Sequence, residues 1–201
     1  MARLHLLALT LCGALLSACA SNPPLSGAEL KAVFDKGLAA YDAGNYQEAY
    51  QAWLSIDDLD PAAARNAAIM LRTGKGVPKD PEAAEAMMAR AAEMGLFTAQ
   101  ADLGDMLFKG EAGLPDPKAA EPWLKAAALA GHPLAEFELG EIYEQGLTGE
   151  KNLEVARKLY EAAAAGGVSE AAERLKALPP APPDSPQSPA PPALRLNPEQ
   201  K

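Results

Sequence analysis

A period of 36 residues constrains this chain more than any other feature it has. Gly95, Gly131 and Gly167 keep that step, and so do Ala63, Ala99, Ala135 and Ala171. It also relates Leu71, Leu107 and Tyr143; Gly74, Gly110 and Gly146; Asp80, Asp116 and Asn152; Ala84, Ala120 and Ala156; and Met87, Trp123 and Leu159. Independent columns sharing one register are the mark of stacked supersecondary units. No such unit buries its apolar face alone, so several must lie against one another to close a core.

The content of each unit points to two helices. In the first, positions 63, 67, 70 and 71 follow the i, i+4, i+7, i+8 spacing of one buried face. Ala99, Leu103, Met106, Leu107 and Ala135, Leu139, Ile142, Tyr143 repeat it. Gly104 and Gly140 follow the leucines, where a missing side chain admits a neighbouring helix. Gly74, Gly110 or Gly146 then ends the helix, since a left-handed cap costs glycine least. Asp80 and Asp116 stand at the N-cap of the second helix with Pro81 and Pro117 at its first position, and Asn152 serves in the third unit. The large pairs Met87-Met88, Trp123-Leu124 and Leu159-Tyr160 come next. Small alanine pairs and the turn glycines Gly95, Gly131 and Gly167 close each unit.

This order of small residue, Leu-Gly, Tyr, Gly, a short loop with Asp, then Ala, Trp-Leu, Ala-Ala and Gly resembles the Sel1-like repeat, a relative of the tetratricopeptide repeat. The resemblance covers Ala63 to Ala171 and departs from the pattern at Ala67-Ala68, which replace Leu-Gly. The stretch from Gly37 to Trp53, with its short Gly44-Asn-Tyr-Gln-Glu-Ala49 turn, is similar instead to a plain tetratricopeptide repeat. The resemblance implies an all-α, right-handed solenoid of antiparallel helix pairs over residues 28–178. One tetratricopeptide-like pair (about residues 28–59) precedes three Sel1-like pairs, and a last helix over Ala171 to Leu178 caps the stack. It also implies a protein–protein interaction scaffold.

The two ends carry different information. Residues 1–18 have the pattern of an export signal: Arg3, then an apolar run from Leu4 to Leu16 that is short for a membrane span. Leu16-Ser17-Ala18-Cys19 resembles the lipobox of bacterial lipoproteins, which implies lipid attachment at Cys19 and cleavage before it. Ala20 after the cysteine favours, by the same resemblance, the outer membrane facing the periplasm. Residues 19–27 form a linker. With Cys12 leaving in the signal, Cys19 is the one remaining cysteine and no internal disulfide is expected. Residues 179–201 hold nine prolines in 23 residues, a composition expected to be disordered and to act as a spacer or as a ligand for another protein.

Several functions are excluded by inventory. Asp and Glu outnumber Lys and Arg 27 to 18, for a formal charge of −9, against the clustered cations that nucleic acids require. His132 is the one histidine beyond the signal, and it has a structural or solvated reading at a turn between repeats. No metal, cofactor or catalytic residue is expected, and the protein is read as no enzyme. Trp53 and Trp123 are expected in the core. In solenoids of this kind the first helices line the concave surface. There Asp102, Asp105, Glu138 and Glu141 are expected off the buried face and stacked in pairs, with Arg65, Asn66 and Arg72 in the first unit's version. These are the candidate partner-binding residues, suited to a basic peptide or to plain solvation. The function expected is a lipid-anchored envelope adaptor. The alternative is a peptidoglycan- or glycan-binding module, with Phe137 and Tyr143 as its aromatics, or a regulator of a cell-wall enzyme.

Overall fold

The computed structural model describes residues 25–180. The signal segment, Cys19 and the tail beyond residue 180 lie outside the described residues. Those described form nine α-helices and no strand: α1 (Gly27–Asp42), α2 (Tyr46–Leu54), α3 (Pro61–Thr73), α4 (Pro81–Glu93), α5 (Phe97–Lys109), α6 (Pro117–Leu129), α7 (Pro133–Gln145), α8 (Leu153–Ala165) and α9 (Ser169–Ala177). The helices α1/α2, α3/α4, α5/α6 and α7/α8 pack as pairs, each bound more extensively within itself than to the next, and α9 closes on α8. The architecture is an all-α solenoid.

The boundaries follow from capping chemistry. Asp60 accepts from the backbone N–H groups of Ala62 and Ala63 at 2.8 and 3.0 Å. Asp80, Asp116 and Asn152 each accept from the N–H three residues on, at 3.0 Å. These bonds satisfy donors that a helix start otherwise leaves orphaned. Ser26 and Glu29 close a reciprocal capping box at the head of α1. At the other end α5 stops where Gly110 turns left-handed (φ 69°), and α3 and α7 stop in the same way.

The spacing within pairs is set by glycines facing large side chains. A Cβ on Gly104 would lie 2.5 Å from Leu124 Cδ2, and one on Gly140 would lie 2.6 Å from Tyr160 Cε1. Leu124 and Tyr160 are both fully buried, so neither has room to yield. Gly37 admits the Trp53 indole of the first pair in the same manner, its ideal Cβ lying 2.5 Å from Nε1. Ala68 takes the corresponding position in the second pair, where the second-helix residue is the flexible Met88, also fully buried. Alanines fill much of the remaining core: Ala63, Ala84, Ala99, Ala120, Ala135, Ala156 and Ala171 are all fully or almost fully buried.

Candidate protein-binding faces

Along the side where the first helices lie next to one another, the candidate residues are joined in an ion-pair ladder. Arg65 of α3 donates through Nε to Asp102 of α5 at 2.6 Å. Arg72, near the end of α3, holds Asp105 at 2.5 Å and grips both oxygens of Glu111 in the loop after α5. Lys109 of α5 binds Asp105 within its own helix and reaches Glu138 of α7 at 3.3 Å. Arg174 of α9 bonds Glu141 at 2.6 Å and approaches Glu144, which in turn accepts from the Tyr160 hydroxyl at 2.6 Å. Asn66 is half-buried beside Arg65.

Two expectations need correction here. Glu138 does not lie off the buried face; it is 6% exposed. The helical stripe of α7 alone places it outside the core, but α5 and its Lys109 cover it once the pairs stack. The expected run of acid is also absent as free charge, because Asp102, Asp105, Glu138 and Glu141 all face a cation from a neighbouring or the same helix. Arg72 is on the expected face, but its pairing, and the partners Lys109 and Arg174 altogether, escaped sequence reasoning. Their signal is a separation close to one repeat, as between Arg65 and Asp102, which a wheel drawn for a single helix does not display.

The electrostatics of the ladder are uneven. Burial pushes the Glu138 carboxyl up to about 8, and hydrogen bonding with Asp105 adds to the effect. Asp105 moves the other way: burial opposes its charge, but hydrogen bonds from Glu138, Lys109 and Arg72 outweigh that and lower it. The pair therefore divides the work, with Asp105 charged and Glu138 holding a proton near neutrality. His132 caps α7 by accepting from the Ala135 N–H at Nδ1, 3.4 Å away. Burial lowers its pKa, which keeps the accepting nitrogen free of a proton.

The opposite side, between second helices, differs at each junction. Between α6 and α8, Lys125 bonds Glu121 at 2.6 Å and lies over the Tyr143 ring, 5.7 Å from its centroid, while the Tyr143 hydroxyl donates to Glu121 at 3.3 Å. The Glu121 carboxyl is held below its usual range, chiefly by Lys125. Between α4 and α6 the chain leaves an open recess of about 370 Å³, walled by Trp123, Ala86 and Ala89, with Leu103 and Leu107 beneath and Glu82 and Glu85 at the rim. Trp53 is in the core as expected, with its N–H donated to the Phe34 carbonyl at 3.3 Å. Trp123 is not fully there: it is half-buried, because its neighbour Leu124 takes the slot opposite Gly104. Phe137 packs against Tyr160 with the rings tilted, 5.6 Å between centroids. The two aromatics weighed for glycan binding, Phe137 and Tyr143, are thus both engaged internally. Among the described residues no His, Cys, Asp and Glu groups are placed to hold a metal, and no helix is long and apolar enough to cross a membrane.

Three consecutive stretches, 61–96, 98–132 and 133–168, match the Sel1 repeat. The chain belongs to the Sel1 repeat family. A Sel1 repeat protein from Oxalobacter formigenes has a similar structure, with a TM-score of 0.64 and 31% identity over 71% of this chain and 58% of that one. A protective antigen of uropathogenic Escherichia coli strains with an SLR fold superposes with a TM-score of 0.67. It is 24% identical over 74% of this chain and 33% of its own, a likeness of fold. The Sel1 repeat chain described here thus spans little more than half of the first relative and a third of the second. None of the curated proteins matches it. Sel1 repeat proteins are in general scaffolds for protein–protein interaction.

Proposed function

We propose that this Sel1 repeat protein is a non-enzymatic adaptor, held in the bacterial cell envelope by lipid on Cys19 and facing the periplasm from the outer membrane. The observation that carries the reading is the join between its two parts. The Leu16-Ser17-Ala18-Cys19 pattern stands a short segment ahead of Gly27, where a capped helix opens a solenoid whose repeats are tied by the ladder. The diacylglycerol and the further acyl chain that the lipobox resemblance implies at Cys19 would together exceed what stable anchoring needs. A stack cross-braced in this way presents fixed side-chain positions to a partner, which lowers the ordering cost of binding.

The test has two arms. Labelled palmitate should enter the native protein and not a Cys19→Ser variant, which should leave the membrane fraction; equal labelling or unchanged fractionation would remove the anchor. Photo-crosslinking residues placed singly at Asn66, on the first-helix side, and at Ala86, on the second-helix side, should capture one discrete envelope protein in cells. Absence of any discrete adduct from both positions would remove the adaptor.

A further inference from the structure

The solenoid solves the same local problem twice, 36 residues apart, and the second solution shows what the first is missing. Between α6 and α8, Glu121 is satisfied by Lys125, by the Tyr143 hydroxyl and by Thr148. One repeat earlier the carboxylate is kept as Glu85, but every partner is replaced: Ala89 stands for Lys125, Leu107 for Tyr143 and Ala112 for Thr148. The result is the recess beside Trp123, with an apolar floor and a carboxylate that has no ion pair or hydrogen bond among the described residues. Glu82, one turn before Glu85 on α4, is likewise without a partner there. At the preceding junction the groove is closed, for Tyr46 lies directly against Gly76.

Building on the adaptor reading, we infer that the α4–α6 recess docks a cationic, apolar segment of a partner protein. An Arg or Lys of that segment takes the place that Lys125 fills one repeat on, and an adjacent large apolar side chain lies against Trp123 and Leu107. The chemistry follows from the internal example. A cation there gains Glu85 and Glu82, while its stem and neighbour cover Leu103 and Leu107 beside Trp123. Truncation to Ala86 and Ala89 opens enough volume for one or two side chains and no more. An anchored side chain in such a pocket, rimmed by charge, is the usual composition of a binding hot spot. The ladder on the other side offers nothing comparable, since its acids are already paired.

The experiment uses the full chain in detergent and short fluorescein-labelled peptides in which Trp and Arg stand three positions apart on an Ala–Ser background. A matched peptide carries Glu for Arg. Fluorescence anisotropy should show the Arg peptide binding at least about tenfold more tightly than the Glu peptide. Ala89→Lys, which installs the chain's own cation, should weaken the Arg peptide by about tenfold while circular dichroism stays native, since the next repeat carries that lysine already. Glu82→Lys with Glu85→Lys should reverse the preference towards the Glu peptide. Equal binding of the two peptides, indifference to Ala89→Lys, or no binding up to about 1 mM would each overturn the inference. The cross-linking experiment separates this from the adaptor reading: a partner captured through Asn66 and never through Ala86 leaves the adaptor standing and sinks the recess.

Discussion

The two long sides of this solenoid carry similar residues and use them in opposite ways. On the first-helix side, Arg65, Arg72, Lys109 and Arg174 face Asp102, Asp105, Glu138 and Glu141, so charge is consumed in joining one pair to the next. On the second-helix side, Glu82 and Glu85 border a recess and are joined to nothing among the described residues. The lesson is that a count of acidic residues says little about available charge. The register of the repeat decides whether a carboxylate meets a cation from the same chain or waits for one from outside.

The sharpest way to break the comparison is to remove a cation from the ladder. Arg72→Ala leaves Glu111 without its cation and Asp105 with Lys109 as its one remaining cation, in a mostly desolvated setting, and should cost about 2 kcal/mol of unfolding free energy by urea denaturation. An effect no larger than that of an exposed arginine would mean that the ladder does not brace the stack.

Glu138→Gln tests the same side through pH. The folded protein holds a proton on Glu138 that the unfolded chain releases in the ordinary carboxylate range, because burial raises the group to about 8. The associated stability is complete below that ordinary range and is lost as pH rises through about 8. Glutamine keeps the neutral form throughout. The variant should therefore match the native melting temperature near pH 4 and exceed it near pH 9, by about 2 kcal/mol of stability. Parallel pH profiles for the two proteins would show that Glu138 is charged in the fold.

A smaller effect is expected at the turn between α6 and α7. His132→Ala removes the side-chain cap from Ala135 N–H and should cost about 1 kcal/mol at pH 8. The lowered pKa of His132 means that its contribution is present above the usual imidazole range and disappears as pH falls through the folded value. The gap between variant and native protein should close in acid, which thermal melts across that range will reveal. The smallest effect belongs to the second-helix side: Glu82→Ala with Glu85→Ala should change stability by no more than about 0.5 kcal/mol. A clear destabilisation there would mean that those carboxylates serve the fold, and the contrast between the two sides would go.

Much of this organisation was legible in the residues. The columns at 63, 71, 74, 80 and 95 foretold the helix pairs, their caps and the turns, because each reflects a local requirement that recurs once per unit. Gly104 and Gly140 were legible as sites of close approach, though not the identity of Leu124 and Tyr160 as the side chains admitted. What escaped is what depends on stacking. Glu138 is polar at a position that a lone helix exposes, and it is covered only when α5 lies alongside. Arg72 and Arg174 meet their acids across 33 residues, so neither is a neighbour in any single helix. His132 looked like a turn residue and is one, but its capping bond needed the orientation of α7. The proposed lipid attachment at Cys19 rests on the sequence pattern alone, outside the described residues.

The glycine facing a large side chain in three of the four pairs has a mechanical consequence. Each pair is gauged from within: its helix separation is set by one bulky group seated in one gap. The joints between pairs have no such gauge and combine a shared, alanine-rich core with side-chain ties across the surface. A stack tethered at its amino end and loaded from a bound partner would therefore give way joint by joint while the pairs stayed intact. It would lengthen in steps of one pair and recover its rest length when the load was released.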